Sequence, residues 1–170
     1  MTRRHALTLS SLLTGCGYHV GGKSDLLPKS IQTIAVPAFK NLTVRYKLTD
    51  RLTGAITREF ISRTRYQIIT DPAQADAVLS GTVLNFTAFP TIFDPATGRA
   101  AGVQIQVNLQ LTLYERATSK ILFTRPNYDF RERYEVSVDQ AQYFEESDQA
   151  LERLSRDVAR TLLSSILEAF

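Results

Sequence analysis

The fold is read from residues 103–114, Val-Gln-Ile-Gln-Val-Asn-Leu-Gln-Leu-Thr-Leu-Tyr. Val103, Ile105, Val107, Leu109, Leu111 and Leu113 alternate without a break with Gln104, Gln106, Asn108, Gln110, Thr112 and Tyr114. A period of two over that length is a strand with one buried and one wet face. Such a face needs a cover, and two helical patterns supply it. Leu48, Leu52, Ile56 and Phe60 fall four apart, with Ala55 in the same stripe, which predicts a helix from about Tyr46 to Arg63 with Arg51, Arg58 and Glu59 toward water. Leu151, Leu154, Val158, Leu162, Ile166 and Phe170 predict a closing helix from about Gln140 to Ala169, capped by Asp139 with Gln142 three residues on.

The remaining segments are extended. Ile31 to Val36 is a short strand closed by Pro37, Tyr66 to Thr70 a brief extended piece, and Asp71-Pro72 a turn. Ala77 to Phe89 is a strand ended by Pro90, which leaves Pro90 to Ala101 as a loop. Ile121 to about Val136 is a strand bulged or on an edge at Pro126. The expected class is α+β: two helices packed on one face of a roughly four-stranded mixed sheet, in the order β-α-β-β-β-α.

Composition narrows the function. The chain has 170 residues, 44% hydrophobic and 22% charged, enough for a core without disulfides. Its single cysteine, Cys16, excludes multi-cysteine zinc sites, and His5 and His19 are the two histidines. No apolar run approaches the roughly 20 residues of a membrane-spanning helix. The net charge of +3 suggests nucleic acid, but Arg3 and Arg4 open a segment of another kind. They are followed by a mildly apolar stretch, Ala6 to Leu13, and then by Thr14-Gly15-Cys16. A basic start, an apolar core and small residues form a secretory signal. Leu13-Thr14-Gly15-Cys16 matches the bacterial lipobox, in which the cysteine thiol takes up diacylglycerol and becomes N-terminal. Removing residues 1–15 takes the net charge from +3 to +1, and the argument for nucleic acid loses its support.

The expected organisation is a lipoprotein signal peptide over 1–15, a lipidated tether over 16–30 and one α+β domain over 31–170. No cofactor is expected beyond covalent N-acyl and S-diacylglycerol lipid on Cys16. At about 0.8 kcal/mol per buried methylene, several acyl chains make attachment effectively permanent. Gly17 after the cysteine is compatible with export to the outer membrane.

Cys16-Gly17-Tyr18-His19-Val20 resembles the mature start of the LptE family, lipopolysaccharide-assembly lipoproteins with a Cys-Gly-aromatic-His-aliphatic opening. Ala35 to Asn41 and Ala75 to Gly81 continue the likeness, although similar phrases occur in other envelope lipoproteins. The resemblance implies a non-enzymatic outer-membrane lipoprotein. Such a protein binds and plugs the lipopolysaccharide-translocating β-barrel LptD, and assists its assembly and the insertion of lipopolysaccharide into the outer leaflet. A lumen wall is polar, so Gln104, Gln106, Asn108 and Gln110 become candidate barrel contacts; the plainer reading of that row is a solvated sheet face. The resemblance also implies a lipopolysaccharide contact in the loop before the alternating strand, where Arg99 is the nearest match and Phe93 stands beside it. A second basic position, ahead of the last helix, has no counterpart: Asp139, Glu145, Glu146 and Asp148 make that segment acidic.

Other constellations carry less. Arg125, Arg131 and Arg133 with Tyr128, Phe130 and Tyr134 mix cations and aromatics as single-strand nucleic-acid platforms do, but an exported chain of net charge +1 makes them the faces of one strand. No catalytic or metal-binding group assembles. The alternative from another class is an outer-membrane lipoprotein that activates a cell-wall synthase or serves a secretion channel. An activator of that kind needs a long linker, whereas the short tether keeps the domain within about 45 Å of the membrane.

Overall fold

A computed structural model describes residues 27–136 and 140–170, the side chains of 140–146 excepted. The signal, Cys16, the tether up to residue 26 and the Asp139 cap lie outside the described residues. Two helices cover one face of a mixed sheet, as the class predicts, but the sheet has six strands rather than four. They are β1 (Thr33–Ala35), β2 (Lys40–Asn41), β3 (Gln67–Ile69), β4 (Ala77–Phe93), β5 (Ala100–Glu115) and β6 (Ile121–Glu135). The helices are α1 (Tyr46–Arg63) and α2 (Gln140–Glu168). The order across the sheet is β3-β1-β4-β5-β6, with β2 pairing β4 beyond the end of β1.

Every aliphatic residue of the alternating stretch in β5 is buried, against Leu48, Leu52, Ile56 and Phe60 of α1 and Leu154, Val158, Leu162 and Ile166 of α2. Phe170, expected in that stripe, is exposed, because α2 stops at Glu168 and the last residues leave the core. Ala150, Ala159 and Leu163 are buried as well, which widens the stripe for contact with both α1 and β6. Arg51 does not simply face water: it pairs with Asp148 at 2.9 Å. Arg58 with Glu152, and Arg63 with Ser164, advance together along both helices, so α1 and α2 run parallel. The chain enters α2 from beside the β4–β5 turn, where Val136 donates to Ala101 O, while α1 starts level with Phe86 in the middle of β4.

Two long-range joints fix β1 beside β4. Asp76 Oδ2 accepts from the backbone N–H groups of Gln32 and Thr33 and from the Thr33 hydroxyl, at 2.8–3.0 Å. These bonds, the backbone N–H of Gln32 foremost, hold its carboxyl below the ordinary range. The depressed pKa makes the bonds stabilising above the unfolded value near 4, and the stabilisation is lost as pH falls through the lower folded value. Asp76→Asn should therefore lower stability by about 2 kcal/mol, roughly 4–8 °C in melting temperature, at pH 7 and by less near pH 3. Thermal melts at the two pH values check this. The second joint is the Phe39 ring, which lies directly on Gly81. The phrases Ala35 to Asn41 and Ala75 to Gly81 thus carry fold: they are the two sides of one parallel seam.

β4 does not end at Pro90. It runs through to Phe93, and the loop expected over Pro90 to Ala101 shrinks to residues 94–99. Proline is tolerated because β4 has lost its neighbour on one side by this point, so a ring nitrogen facing that side leaves no ladder bond unmade. Bulges at Leu84 and Thr91 add one residue each to β4. β6 is an edge strand with a bulge between Arg125 and Tyr128, so Pro126 has both of the features expected of it.

Candidate interaction surface

The face of the sheet turned away from the helices is open. Gln104, Gln106, Asn108, Gln110 and Thr112 of β5 all lie on it, opposite Phe89, Thr87, Asn85, Thr82 and Ser80 of β4. On the other side they meet Arg133, Arg131, Asp129 and Thr124 of β6. The bulge at Leu84 sets this pattern: before it the core residues of β4 are Leu79 and Val83, after it Phe86 faces the core. The amides are partly tied down. Gln106 Nε2 donates to Asp129 Oδ1 at 2.9 Å, Asn108 Nδ2 donates to Asn127 Oδ1, and the Thr112 and Thr124 hydroxyls are 3.3 Å apart. Arg131 Nε pairs with Asp129 at 3.1 Å. The result is a hydrogen-bonded surface, neutral on β4 and most of β5 and charged on β6, that offers donors and acceptors to a polar wall.

The β4–β5 tip is a fixed turn. Asp94 accepts from the Ala96 N–H and the Thr97 hydroxyl, both at 2.8 Å, and its own N–H donates to Arg99 O. Those bonds hold the Asp94 carboxyl below its ordinary pKa, Ala96 first. Gly98 completes the turn with φ +67°, a conformation that favours glycine. Arg99 and Phe93 share this tip, both exposed, Phe93 at 59%. Ile92 lies over Gly102, whose missing Cβ makes room for it. The amides and the tip are thus parts of one surface that runs along the sheet to its far end. The described chain begins at the opposite end, where the buried Leu27 donates its N–H to the Tyr66 hydroxyl at 2.9 Å. With 16 residues in β5, tip and chain entry are about 50 Å apart.

Among the described residues no three acidic, histidine or cysteine side chains gather into a metal site, and no helix is long and apolar enough to cross a membrane. The sequence reading missed one feature, a shoulder where β2 leads into α1. Leu42, Val44 and Tyr46 are exposed there between Lys40, Arg45 and Lys47, with the Arg45 guanidinium 5.1 Å over the Phe86 ring. The interleaved charge of Lys40 to Lys47 was the available signal.

The family model described as LptE, lipopolysaccharide-assembly, matches residues 31–166. The chain belongs to the LptE family. At that level it is a lipopolysaccharide-assembly lipoprotein of the bacterial envelope, in a family without enzymatic activity. Solved structures share the LptE-like fold at low identity. Rare lipoprotein B from Shewanella oneidensis is 13% identical with a TM-score of 0.52, covering 80% of this chain and 94% of its own. A Xanthomonas campestris protein is 15% identical with a TM-score of 0.54, covering 84% and 89%. The PelC dodecamer from Paraburkholderia phytofirmans is 13% identical with a TM-score of 0.53, covering 81% and 90%. No curated protein matches. These three proteins share the fold, and the LptE match spans the sheet and nearly all of both helices.

Proposed function

We propose that this chain is a Cys16-lipidated outer-membrane lipoprotein that lodges in the lumen of the lipopolysaccharide-translocating barrel, plugs it and assists its assembly. The observation that carries this is the open sheet face, on which Gln104, Gln106, Asn108 and Gln110 stand together and uncovered by either helix. A monomer gains nothing from a row of neutral amides that lysines would not give it, whereas a polar wall can pair with amides without ion desolvation. The placement of the tip supports the rest. Ten residues separate Cys16 from Leu27. A tip about 50 Å from the chain's entry would pass a hydrocarbon core of about 30 Å and bring Arg99 and Phe93 to the outer leaflet. There Arg99 would engage a lipid A phosphate with its guanidinium fork and Phe93 would meet acyl chains.

Two substitutions separate anchor from contact. Cys16→Ala should move the protein from the membrane to the soluble fraction with its melting temperature unchanged, measured after fractionation. Gln104→Glu with Gln110→Glu spares the bonded Gln106 and Asn108 and should leave the isolated chain folded. The added carboxylates should reduce barrel recovery by about tenfold or more, about 1.4 kcal/mol, chiefly through Gln110, because Gln104 lies opposite Arg133. Full recovery would remove the amide face as the contact.

A further inference from the structure

The two long strands that flank β5 are protected very differently. β6 is an edge over its whole length, and six of its 15 residues are charged: Arg125, Asp129, Arg131, Glu132, Arg133 and Glu135. Pro126 and its bulge interrupt it further. Charge above all keeps such an edge from pairing with other chains. β4 carries no charged residue in 17. Its first part is covered, Ala77 and Val78 by β1, Thr82 and Val83 by β2, but among the described residues nothing pairs with that side from Asn85 to Phe93. These nine uncharged residues form an open edge about 30 Å long, interrupted by Pro90 and the bulge at Thr91.

The direction of the free groups follows from Pro90. Antiparallel residues alternate in which neighbour they bond, and a residue without an N–H fits only where that position faces outward. The ladder has no register shift from Asn85 to Pro90, so Phe86 and Ala88 share its parity and turn their N–H and C=O groups outward. The same stretch holds Thr91 Oγ1, the one buried side-chain oxygen without a partner among the described residues. At the Asn85 end the edge meets the basic shoulder. Lys40, Arg45 and Lys47 have no ion pair among the described residues.

We infer that Asn85–Phe93 is a strand-addition site. It takes an extended, uncharged segment of the barrel partner that becomes acidic where it reaches Lys40, Arg45 and Lys47. This deepens the plug reading and rests on it. Charge selects this occupant over a second copy: in antiparallel self-pairing each shoulder would face the other copy's tip turn, where Asp94 and Arg99 cancel and supply no net anion. Main-chain bonds would give affinity, and the acidic end would give register.

The test is amide hydrogen exchange on the full lipidated chain, alone and co-purified with its barrel. Phe86 and Ala88 should exchange on the order of 100-fold more slowly in the complex, with the outward amides of β6 unchanged. Ala88→Pro removes one outward N–H, and Ala88→Lys guards the edge with charge should the proline variant fail to fold. Either should melt close to the parent and recover at least about tenfold less barrel. Equal exchange in both states, or full recovery with both variants, overturns strand addition while the plug reading stands. Slow exchange in the isolated chain at twice the monomer mass overturns it in favour of a second copy. Absence of any barrel removes both.

Discussion

Leu109→Asp is expected to abolish the folded state. Leu109 is fully buried in β5, opposite Val83 on β4 and Tyr128 on β6, beneath both helices. Truncating a buried leucine to alanine costs about 2–5 kcal/mol. A carboxylate there adds a desolvation penalty of several kcal/mol more, with no cation among the buried residues to offset it. The total rivals the whole stability of a domain this size, about 5–15 kcal/mol. Circular dichroism should show no cooperative melt. Leu109→Ala should still melt, some 5–20 °C lower, and Gln110→Asp, one residue on but on the open face, should melt near the parent. A cooperative melt for Leu109→Asp would mean that the face is not sealed.

The second large effect is at Gly81. A Cβ there would stand 2.5 Å from the Phe39 ring, which is itself 5% exposed and fixed in the core. A ring cannot bend aside as a flexible side chain can, so Gly81→Ala must displace it and forfeit much of its burial, about 3–5 kcal/mol. Phe39→Ala alone should cost a similar amount through the cavity it leaves. The pair should cost clearly less than the sum, because each change removes the other's conflict. Additive losses in a double-mutant cycle would show that ring and glycine are not in contact.

The two joints explain what could be read from the chain and what could not. The alternation in β5 and the stripe of α1 are local, one residue setting the next, and both elements fall where their patterns put them. β2 is two residues long and exists because β4 lies beside it, so no local pattern announces it. Asp76 caps β1 from more than 40 residues away. Pro90 reads as a strand end because proline cannot serve a central ladder; it is accommodated because β1 and β2 have already stopped, a fact of topology. The same holds for the surface. The alternation alone put Gln104 to Gln110 on one face. The open edge of β4 depends on where its neighbours end, and only the assembled sheet discloses it. The uncharged run from Ala77 to Phe93 was present in the sequence, but without an edge it had no meaning.

We propose that this LptE-family chain works as one half of a complex with an outer-membrane barrel. The most direct test is purification of the tagged full-length lipoprotein from its native membranes in mild detergent, followed by mass spectrometry. A large β-barrel recovered at close to one copy per chain is the expected result. Recovery of a cell-wall synthase, or of no barrel at all, would contradict it.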